Sequence, residues 1–296
     1  MKGRLIAAST AWLTTPAAVF LSAVLQPVVD SFDSVAKSTS HVVDRLNDLC
    51  SEGLQGLSLA TYDVQDLYPT IDQKRALDAV HAQLVIYFTA VFGLHWGAKV
   101  ELYTKLLSVI FEAQIVAFIK ADGFRVFFKQ TVGLSMGLSC ATQVANIFLR
   151  ALDIHFRSTF RHSLRFYLRF IDDVFTLFDH TCTADVLVDC SNSWDPLLKV
   201  TRDLGDSDKR STFLDLDVDI SGGKLSYCTY RKPMNTYQYL PYNSCHHESS
   251  KLGIFRTELH RFLITNSTVD SFSFQAHFTM HKLILRGYPA DSLFEI

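Results

Sequence analysis

The chain has 296 residues, of which 48% are hydrophobic and 20% are charged. This length allows one large domain or two modest ones with a substantial core, and the composition excludes a disordered chain. The formal net charge of −2 lacks the basic excess that is usual for a nucleic-acid enzyme, so any basic surface must be local. Six scattered cysteines without a CxxC pair indicate a reduced intracellular protein and argue against a disulfide scaffold or a zinc module.

The N-terminal segment imitates a secretory signal, because Lys2 and Arg4 precede apolar residues that run through Leu25. Polar residues and Pro16 interrupt this run, which argues against secretion and against a membrane span of about 20 apolar residues. We therefore expect an intracellular protein, nuclear or cytoplasmic, that has no contact with a membrane. A signal peptide remains open as the alternative.

Hydrophobic spacing predicts a mixture of helices and strands along the chain. Predicted helices cover residues 17–48, 73–92, 97–119, 139–159, 184–200, 249–264 and 271–286. Predicted strands cover residues 57–63, 124–132, the two halves of 165–178, 212–220 and 224–231. The regular strand–helix alternation of a parallel sheet is missing. The pattern therefore favours the α+β class, with helices packed on an antiparallel sheet.

Carboxylates stand at the ends of two predicted strands. Asp63 ends the strand at 57–63, and Asp172-Asp173 lies between the apolar halves of a predicted hairpin. Adjacent acids in such a place repel each other and lose hydration unless a cation neutralises them, although Asp is also common in ordinary turns. Because Asp63 ends a second apolar strand that could lie beside the hairpin, we favour a two-metal site for phosphoryl transfer over a plain turn.

Three segments, in this order, resemble the palm motifs of reverse transcriptases. Tyr62-Asp63-Val64-Gln65-Asp66-Leu67-Tyr68-Pro69 is similar to the first motif. Gln130-Thr131-Val132-Gly133-Leu134-Ser135-Met136-Gly137, followed by Ala145-Asn146, is similar to the glycine motif. Phe170-Ile171-Asp172-Asp173 is similar to the aromatic-x-Asp-Asp box. The later Tyr230-Arg231-Lys232-Pro233 segment resembles Penelope-like retroelements, so the resemblance covers roughly residues 2–265.

The resemblance implies a polymerase palm at residues 57–231, partial fingers with a connecting helix at 1–56, and a helical thumb-like region at 232–296. It implies an RNA-directed DNA polymerase that adds dNTPs to a DNA primer on an RNA template, with two Mg²⁺ ions, or Mn²⁺, as cofactors. The fingers upstream of Arg4 are missing, so we expect them to be truncated. No stable protein partner can be inferred from the sequence.

The same resemblance assigns roles to individual residues. Asp63, Asp172 and Asp173 would be catalytic and would hold the metal ions, together with Val64. Tyr68 stands at the position of the steric gate, where an aromatic ring excludes a ribose 2′-OH. The predicted nucleotide-binding residues are Lys2, Arg4, Val64, Gln65, Tyr68, Met136 and Gly137. The predicted nucleic-acid-binding residues are Arg165, Arg169, Arg231 and Lys232. The chain departs from the family pattern at Ala141-Thr142, where Ser-Pro is usual.

Two other functions remain open. A catalytically inactive, truncated palm could still bind RNA through the segment from Arg150 to Arg169, which contains five arginines and the single acid Asp153. The segment from Gly133 to Gly137 also fits the G-x-S-x-G elbow of serine hydrolases, with Ser135 as the nucleophile. Its triad partners would be Asp172 or Asp179 and His277 or His281. The hydrolase leaves Asp63 unexplained.

Overall fold

The structure is a computed structural model that describes residues 12–49, 54–93, 96–203 and 207–296. Lys2 and Arg4, which we predicted to bind nucleotide, lie outside the described residues. The described helices are α1 Thr15–Asp30, α2 Thr39–Leu49, α3 Leu67–Thr70, α4 Gln73–Phe92, α5 Gly97–Glu112, α6 Ala141–Thr159, α7 Ala184–Trp194, α8 Glu248–Thr265, α9 Val269–Ile284 and α10 Ala290–Phe294. The described strands are β1 Ser58–Gln65, β2 Ile115–Ile119, β3 Arg125–Lys129, β4 Leu164–Phe170, β5 Asp173–Phe178, β6 Lys199–Arg202, β7 Arg210–Phe213, β8 Leu216–Asp219 and β9 Ser226–Thr229.

A four-stranded sheet in the order β4-β5-β1-β6 carries the predicted acidic residues. Strands β1 and β6 pair antiparallel, with Tyr62 opposite Arg202 and Gln65 opposite Lys199. Strands β4 and β5 are joined by only two residues, a connection that antiparallel strands permit. The predicted α+β class, in which helices accompany antiparallel sheets, is confirmed.

The chain divides into two compact units. The first comprises Met1–Val35, Tyr62–Val174 and Cys182–Arg202, and α6 is its central helix. Val144, Ala145 and Leu149 on α6 are buried where the helix packs against α1, α4 and α7. Apolar residues at this spacing form one face of a helix, and that face supplies the core of the first unit.

The second unit comprises Ala36–Thr61, Phe175–Thr181 and Asp203–Ile296. It contains the antiparallel sheet β7-β8-β9, against which α8 and α9 pack at β9. Helices α8, α9 and α10 enclose a hydrophobic cluster formed by Phe255, Met280, Leu283, Tyr288 and Leu293. The predicted domain boundaries at residues 57 and 231 stay predictions.

The structure corrects three predicted helices. The helix expected at 17–48 is two helices, separated between Asp30 and Thr39. The helix expected at 97–119 ends at Glu112, and Ile115–Ile119 is a strand. The helix expected at 184–200 ends at Trp194, after which Lys199–Arg202 forms β6. In each case apolar residues continue beyond the end of the helix, so hydrophobic spacing alone does not mark where it stops.

Within the described ranges, no helix combines the length and the apolar character that crossing a membrane requires. Five cysteines in the same ranges, at positions 140, 182, 190, 228 and 245, have free thiols.

Candidate active site

The three predicted catalytic aspartates lie at one end of the β1–β5 strand pair. The Val64 N–H donates to the Asp172 carbonyl at an N–O distance of 3.0 Å, which joins the end of β1 to the turn before β5. In an antiparallel pair this bond sets Asp63 opposite Asp173, where Cβ atoms are typically about 4.5–5.5 Å apart. Asp63, Asp172 and Asp173 are all half-buried. The strand end that carries Asp63 and the acidic turn are therefore adjacent in the sheet.

The turn that presents Asp172 contains a strained residue. Ile171 is the first of the two residues between β4 and β5, and its φ is +55°. Tight hairpin turns need this conformation, but a β-branched side chain rarely adopts it. Such strain costs about 1–3 kcal/mol and persists only when neighbouring contacts fix it. The Ile171 carbonyl accepts a hydrogen bond from Arg169 Nη1 at 2.8 Å, which is one of those contacts.

Arg169 belongs to a buried polar network that sequence reasoning missed. Its guanidinium makes a two-point ion pair with Asp153 at 2.7 and 2.9 Å, and both side chains are 0% exposed. Nη1 also donates to Asn146 Oδ1 at 2.7 Å. Asp153 further accepts from the Tyr167 hydroxyl at 2.7 Å and from the Ser34 hydroxyl at 2.9 Å. The network ties α6 and the segment after α1 to the strand that leads into the acidic turn.

Burial and the charged partners together account for the pKa shifts in this network. Burial alone would lower the pKa of Arg169, but the charge of Asp153 outweighs it and raises that pKa. Burial, followed by the charge of Asp153, raises the pKa of Tyr167 well above its usual value. Arg169 therefore stays charged and Tyr167 stays protonated. The sequence did contain a signal for this pair, because Arg169 lies within the apolar β4. A buried cation needs an acid, and Asp153 is the only acid between Arg150 and Arg169.

Tyr68 lies close to the acidic turn. Burial raises the pKa of its phenol and the charge of Asp172 raises it further, while a hydrogen bond with Thr142 opposes both. The Tyr68 and Thr142 hydroxyl oxygens are 3.3 Å apart. Thr142 is one of the two residues at which the chain departs from the family pattern, and here it helps to hold the ring of Tyr68.

The predicted glycine motif packs directly on the segment that follows β1. The Gly133 N–H donates to the Ile71 carbonyl at 2.9 Å, and the Leu134 N–H donates to the Tyr68 carbonyl at 2.7 Å. Gly133 has a φ of +79°, and a Cβ at this position would lie 2.7 Å from the Pro69 carbonyl oxygen. Only glycine permits this close approach without displacing backbone. Met136 and Gly137 follow in the same loop and are half-buried, whereas Gln65 at the end of β1 is exposed.

The structure corrects the predicted basic strip. Arg169 cannot reach a phosphate, because it is fully buried and paired with Asp153. Arg150 and Arg157 pair with Asp33, which lies outside the segment from Arg150 to Arg169. Burial alone would raise the pKa of Asp33, but the hydrogen bond and the charge of Arg157 outweigh it and lower that pKa. The five arginines are therefore not one phosphate-facing surface.

Of the other predicted nucleic-acid-binding residues, Arg231 is half-buried and contacts α9. Its guanidinium donates to Gln275 and to Thr279 Oγ1, and lies 4.2 Å from the centre of the Phe278 ring. These contacts join Arg231 to α9, and its nucleic-acid-binding role stays a prediction. Arg165 and Lys232 are exposed and stay predicted contacts.

The hydrolase elbow does not form. A nucleophile elbow is a sharp turn from a strand directly into a helix. Here β3 ends at Lys129, α6 begins at Ala141, and Ser135 lies in the irregular loop between them. The Ser135 N–H donates to Gln114 Oε1 at 3.1 Å, so the loop is fixed to the base of the β2–β3 hairpin. The antiparallel sheet also differs from the mostly parallel sheet of that fold.

In the described part of the chain, no three His, Cys, Asp or Glu side chains form a ready-made metal cage. Magnesium in phosphoryl-transfer sites is usually held by one or two protein carboxylates and completes its shell with water and substrate phosphates. The half-buried aspartates at the two strand ends are compatible with ions of this kind, which arrive with a nucleotide.

Comparison with solved structures identifies the fold. Telomerase from Candida albicans, in complex with a TWJ fragment of telomeric RNA, has a TM-score of 0.62 at 12% identity and aligns over 96% of this chain and 48% of its own. Apo telomerase from Candida tropicalis has a TM-score of 0.56 at 16% identity, over 97% of this chain and 50% of its own. The BmCPV RNA-dependent RNA polymerase at elongation state has a TM-score of 0.55 at 10% identity, over 92% and 24%.

The chain has a polymerase-like fold. It spans about half the length of the telomerase chains and about a quarter of the viral polymerase. Residues 238–296 match the family of animal helix-turn-helix domains, a match that covers only α8 to α10 and the segment before them. No curated protein sequence matches the chain.

Proposed function

We propose that the chain is an RNA-directed DNA polymerase that transfers nucleotidyl groups to a primer 3′-OH, with Asp63, Asp172 and Asp173 at its centre. The observation that carries the proposal is the hydrogen bond from the Val64 N–H to the Asp172 carbonyl. It places two acidic segments, distant in the sequence, side by side at one end of an antiparallel sheet. In a polymerase-like fold, acidic residues placed in this way would hold the metal ions for nucleotidyl transfer.

The template and primer are inferred from two sources. The telomerase neighbour from Candida albicans is in complex with a TWJ fragment of telomeric RNA, which favours RNA as a partner of this chain, and the sequence motifs favour that RNA as the template. The DNA primer, the dNTPs and the origin in a Penelope-like retroelement are supported by the order and spacing of the sequence motifs alone.

The carboxylates of Asp63, Asp172 and Asp173, with the Val64 carbonyl, would hold two Mg²⁺ ions, or Mn²⁺ in their place. Bound there, the ions would supply neutralisation of the phosphate charge and alignment of the attacking and leaving oxygens. The chain itself contributes rigidity, because Arg169 fixes the turn on which Asp172 stands. The ring of Tyr68 would wall the pocket beside C2′ of the nucleotide, while Met136 and Gly137 pack beneath the base and Gln65 offers its backbone to the triphosphate.

Asp172→Asn tests the proposal. Removing one carboxylate charge should lower primer extension by about 100-fold or more, as the loss of a preorganised electrostatic group does elsewhere. Affinity for a primer–template should change less than about threefold, because most contacts to nucleic acid are made to its phosphates. Asp78→Asn, on the exposed face of α4, is the matched control and should extend like wild type.

Primer extension and binding are measured in the same preparation, with Mg²⁺ and with Mn²⁺. Equal loss of extension and binding in Asp172→Asn would show that the site is misassigned. RNA binding by a wild-type chain that extends no primer with either ion would instead favour the catalytically inactive RNA-binding protein.

A further inference from the structure

The β2–β3 hairpin projects large apolar side chains into solvent. The exposed fractions are 71% for Ile119, 62% for Phe127 and 55% for Phe128. Within the described residues each strand pairs only with the other, so the hairpin is a two-stranded ribbon. A ribbon of this kind is marginally stable by itself, and soluble proteins rarely expose a continuous apolar group without a partner for it.

The strand register separates these side chains onto two faces. On one face Phe118 and Phe128 are in edge contact, with ring centroids 5.6 Å apart. The other face, here called the Phe127 face, carries exposed side chains at every position. Its members are Arg125, Phe127 and Lys129 on β3 and, opposite them, Ile119, Ala117 and Ile115 on β2.

The chemistry of the Phe127 face is aromatic and cationic. Arg125 and Lys129 flank Phe127 and lie about 14 Å apart, since a strand rises about 3.4 Å per residue. Neither cation has an ion-pair partner among the described residues, and no acid lies on this face. A surface that binds single-stranded nucleic acid combines these features, because phosphates pair with the cations and a base stacks on the ring between them.

The base of the hairpin is fixed to the predicted nucleotide-binding loop. The Gln114 carbonyl accepts from the Gln130 N–H at 2.9 Å, and Gln114 Oε1 accepts from the Ser135 N–H at 3.1 Å. Gln114 itself is buried. The hairpin therefore leads directly into the loop that carries Met136 and Gly137, within the same compact unit.

We propose that the Phe127 face binds a single-stranded stretch of nucleic acid by stacking a base on Phe127 and pairing phosphates with Arg125 and Lys129. The inference deepens the proposed function, on which it rests for the class of partner. Base faces inside a duplex are already stacked, so a duplex does not fit. A symmetric contact with a second copy would bring like cations together, which opposes self-association through this face.

The test measures binding of fluorescein-labelled 12-nucleotide oligo(U) and oligo(dT), and of a 12-base-pair duplex, to the full chain without divalent ions. Phe127→Ala should weaken binding of the single strands about 5- to 150-fold, as the loss of one stacked base does, and leave the salt dependence unchanged. Arg125→Gln with Lys129→Gln should lower the slope of log affinity against log salt by about 1.4, for two released phosphate contacts. The RNA and DNA probes identify which strand the face prefers.

Two variants serve as matched controls. Phe128→Ala removes the neighbouring ring on the opposite face, and Lys224→Gln removes an exposed charge in the β8–β9 turn. Both should bind like wild type. Equal weakening by Phe127→Ala and Phe128→Ala would overturn the assignment to one face, and so would unchanged affinity in Phe127→Ala. If Phe127→Ala differs from wild type in its molar mass on sedimentation but not in its affinity for the single strands, the surface would be assigned to self-association instead.

The outcome is separable from that of the proposed function. Face-dependent binding by a chain that extends no primer would support the inference and reject the polymerase. If the wild-type chain extends primers and Phe127→Ala binds single strands normally, the polymerase is supported and the inference is rejected.

Discussion

Replacing Arg169 by Met removes the cation that joins α6 to the acidic turn. Asp153, which is 0% exposed, would keep hydrogen bonds only from Tyr167 and Ser34. Leaving a buried carboxylate without its cation costs about 3–5 kcal/mol of unfolding free energy. The Ile171 carbonyl would also lose its donor, so the positive φ of that residue would no longer be fixed. We expect a loss of stability together with a displaced Asp172.

A double variant separates the ion pair from its surroundings. Asp153→Leu with Arg169→Met removes both charges, and replacing a buried pair by apolar groups is often nearly neutral. The Tyr167 and Ser34 hydroxyls and the Asn146 amide would lose partners, at about 1–3 kcal/mol for each group left unsatisfied. The double variant should therefore be less stable than wild type, yet more stable than the sum of the single losses predicts, by about 2–3 kcal/mol.

Urea unfolding of the two single variants and the double variant gives the three free energies, and primer extension is measured where each remains folded. Arg169→Lys keeps the charge but loses the fork that reaches both Asp153 and Ile171, so its extension rate should fall about tenfold while primer–template affinity is retained. Additive losses, within about 0.5 kcal/mol, would refute the coupling. Wild-type extension by Arg169→Met would refute the positioning role.

Three further outcomes are expected. Gly133→Ala should cost about 2–4 kcal/mol in urea unfolding, because its Cβ meets backbone, whereas Gly123→Ala, with a similar φ and open space, should cost about 1–2 kcal/mol. Tyr68→Ala should admit rNTPs in primer extension without changing Mg²⁺ dependence, and Tyr68→Phe, which keeps the ring, should still exclude them. Burial raises the pKa of Cys140 to about 12, so iodoacetamide at pH 8 should label it only in urea. Because the unfolded thiol has its ordinary pKa of 9.0, this group's stabilisation is complete below that pH and is lost towards about pH 12.

Local signals determined which elements the sequence could predict. The helix expected at 73–92 has these bounds because Asp72 accepts a hydrogen bond from the Arg75 N–H at its start and Gly93, with a φ of +82°, follows its end. Residues 115–119 were wrongly placed in a helix because their strand exists only through pairing with Arg125–Lys129. The spacing of apolar residues within one segment does not reveal a partner strand that comes later in the chain.

The same limit applies to the candidate site. The order of the motifs led to the choice of Asp63, Asp172 and Asp173, because each stands in a recognisable segment, and their catalytic role stays a prediction. The role of Arg169 was misassigned because charge spacing does not show burial, and because the acid that neutralises Arg150 and Arg157 is Asp33, more than a hundred residues earlier. Counting charges within one segment cannot find partners that the fold brings from another.

The buried Arg169–Asp153 pair maintains the strained backbone of the acidic turn. A β-branched residue at positive φ would relax in an isolated hairpin, where nothing would hold the Arg169 side chain against the Ile171 carbonyl. Arg169 opposes it, but only while its own charge is held by Asp153, and Asp153 is held in turn by hydroxyls from β4 and from the segment after α1. The position of Asp172 therefore depends on contacts from α6 and from the segment after α1. A rigid acidic turn is what metal-assisted nucleotidyl transfer requires, because small displacements of the reacting groups cost large factors in rate.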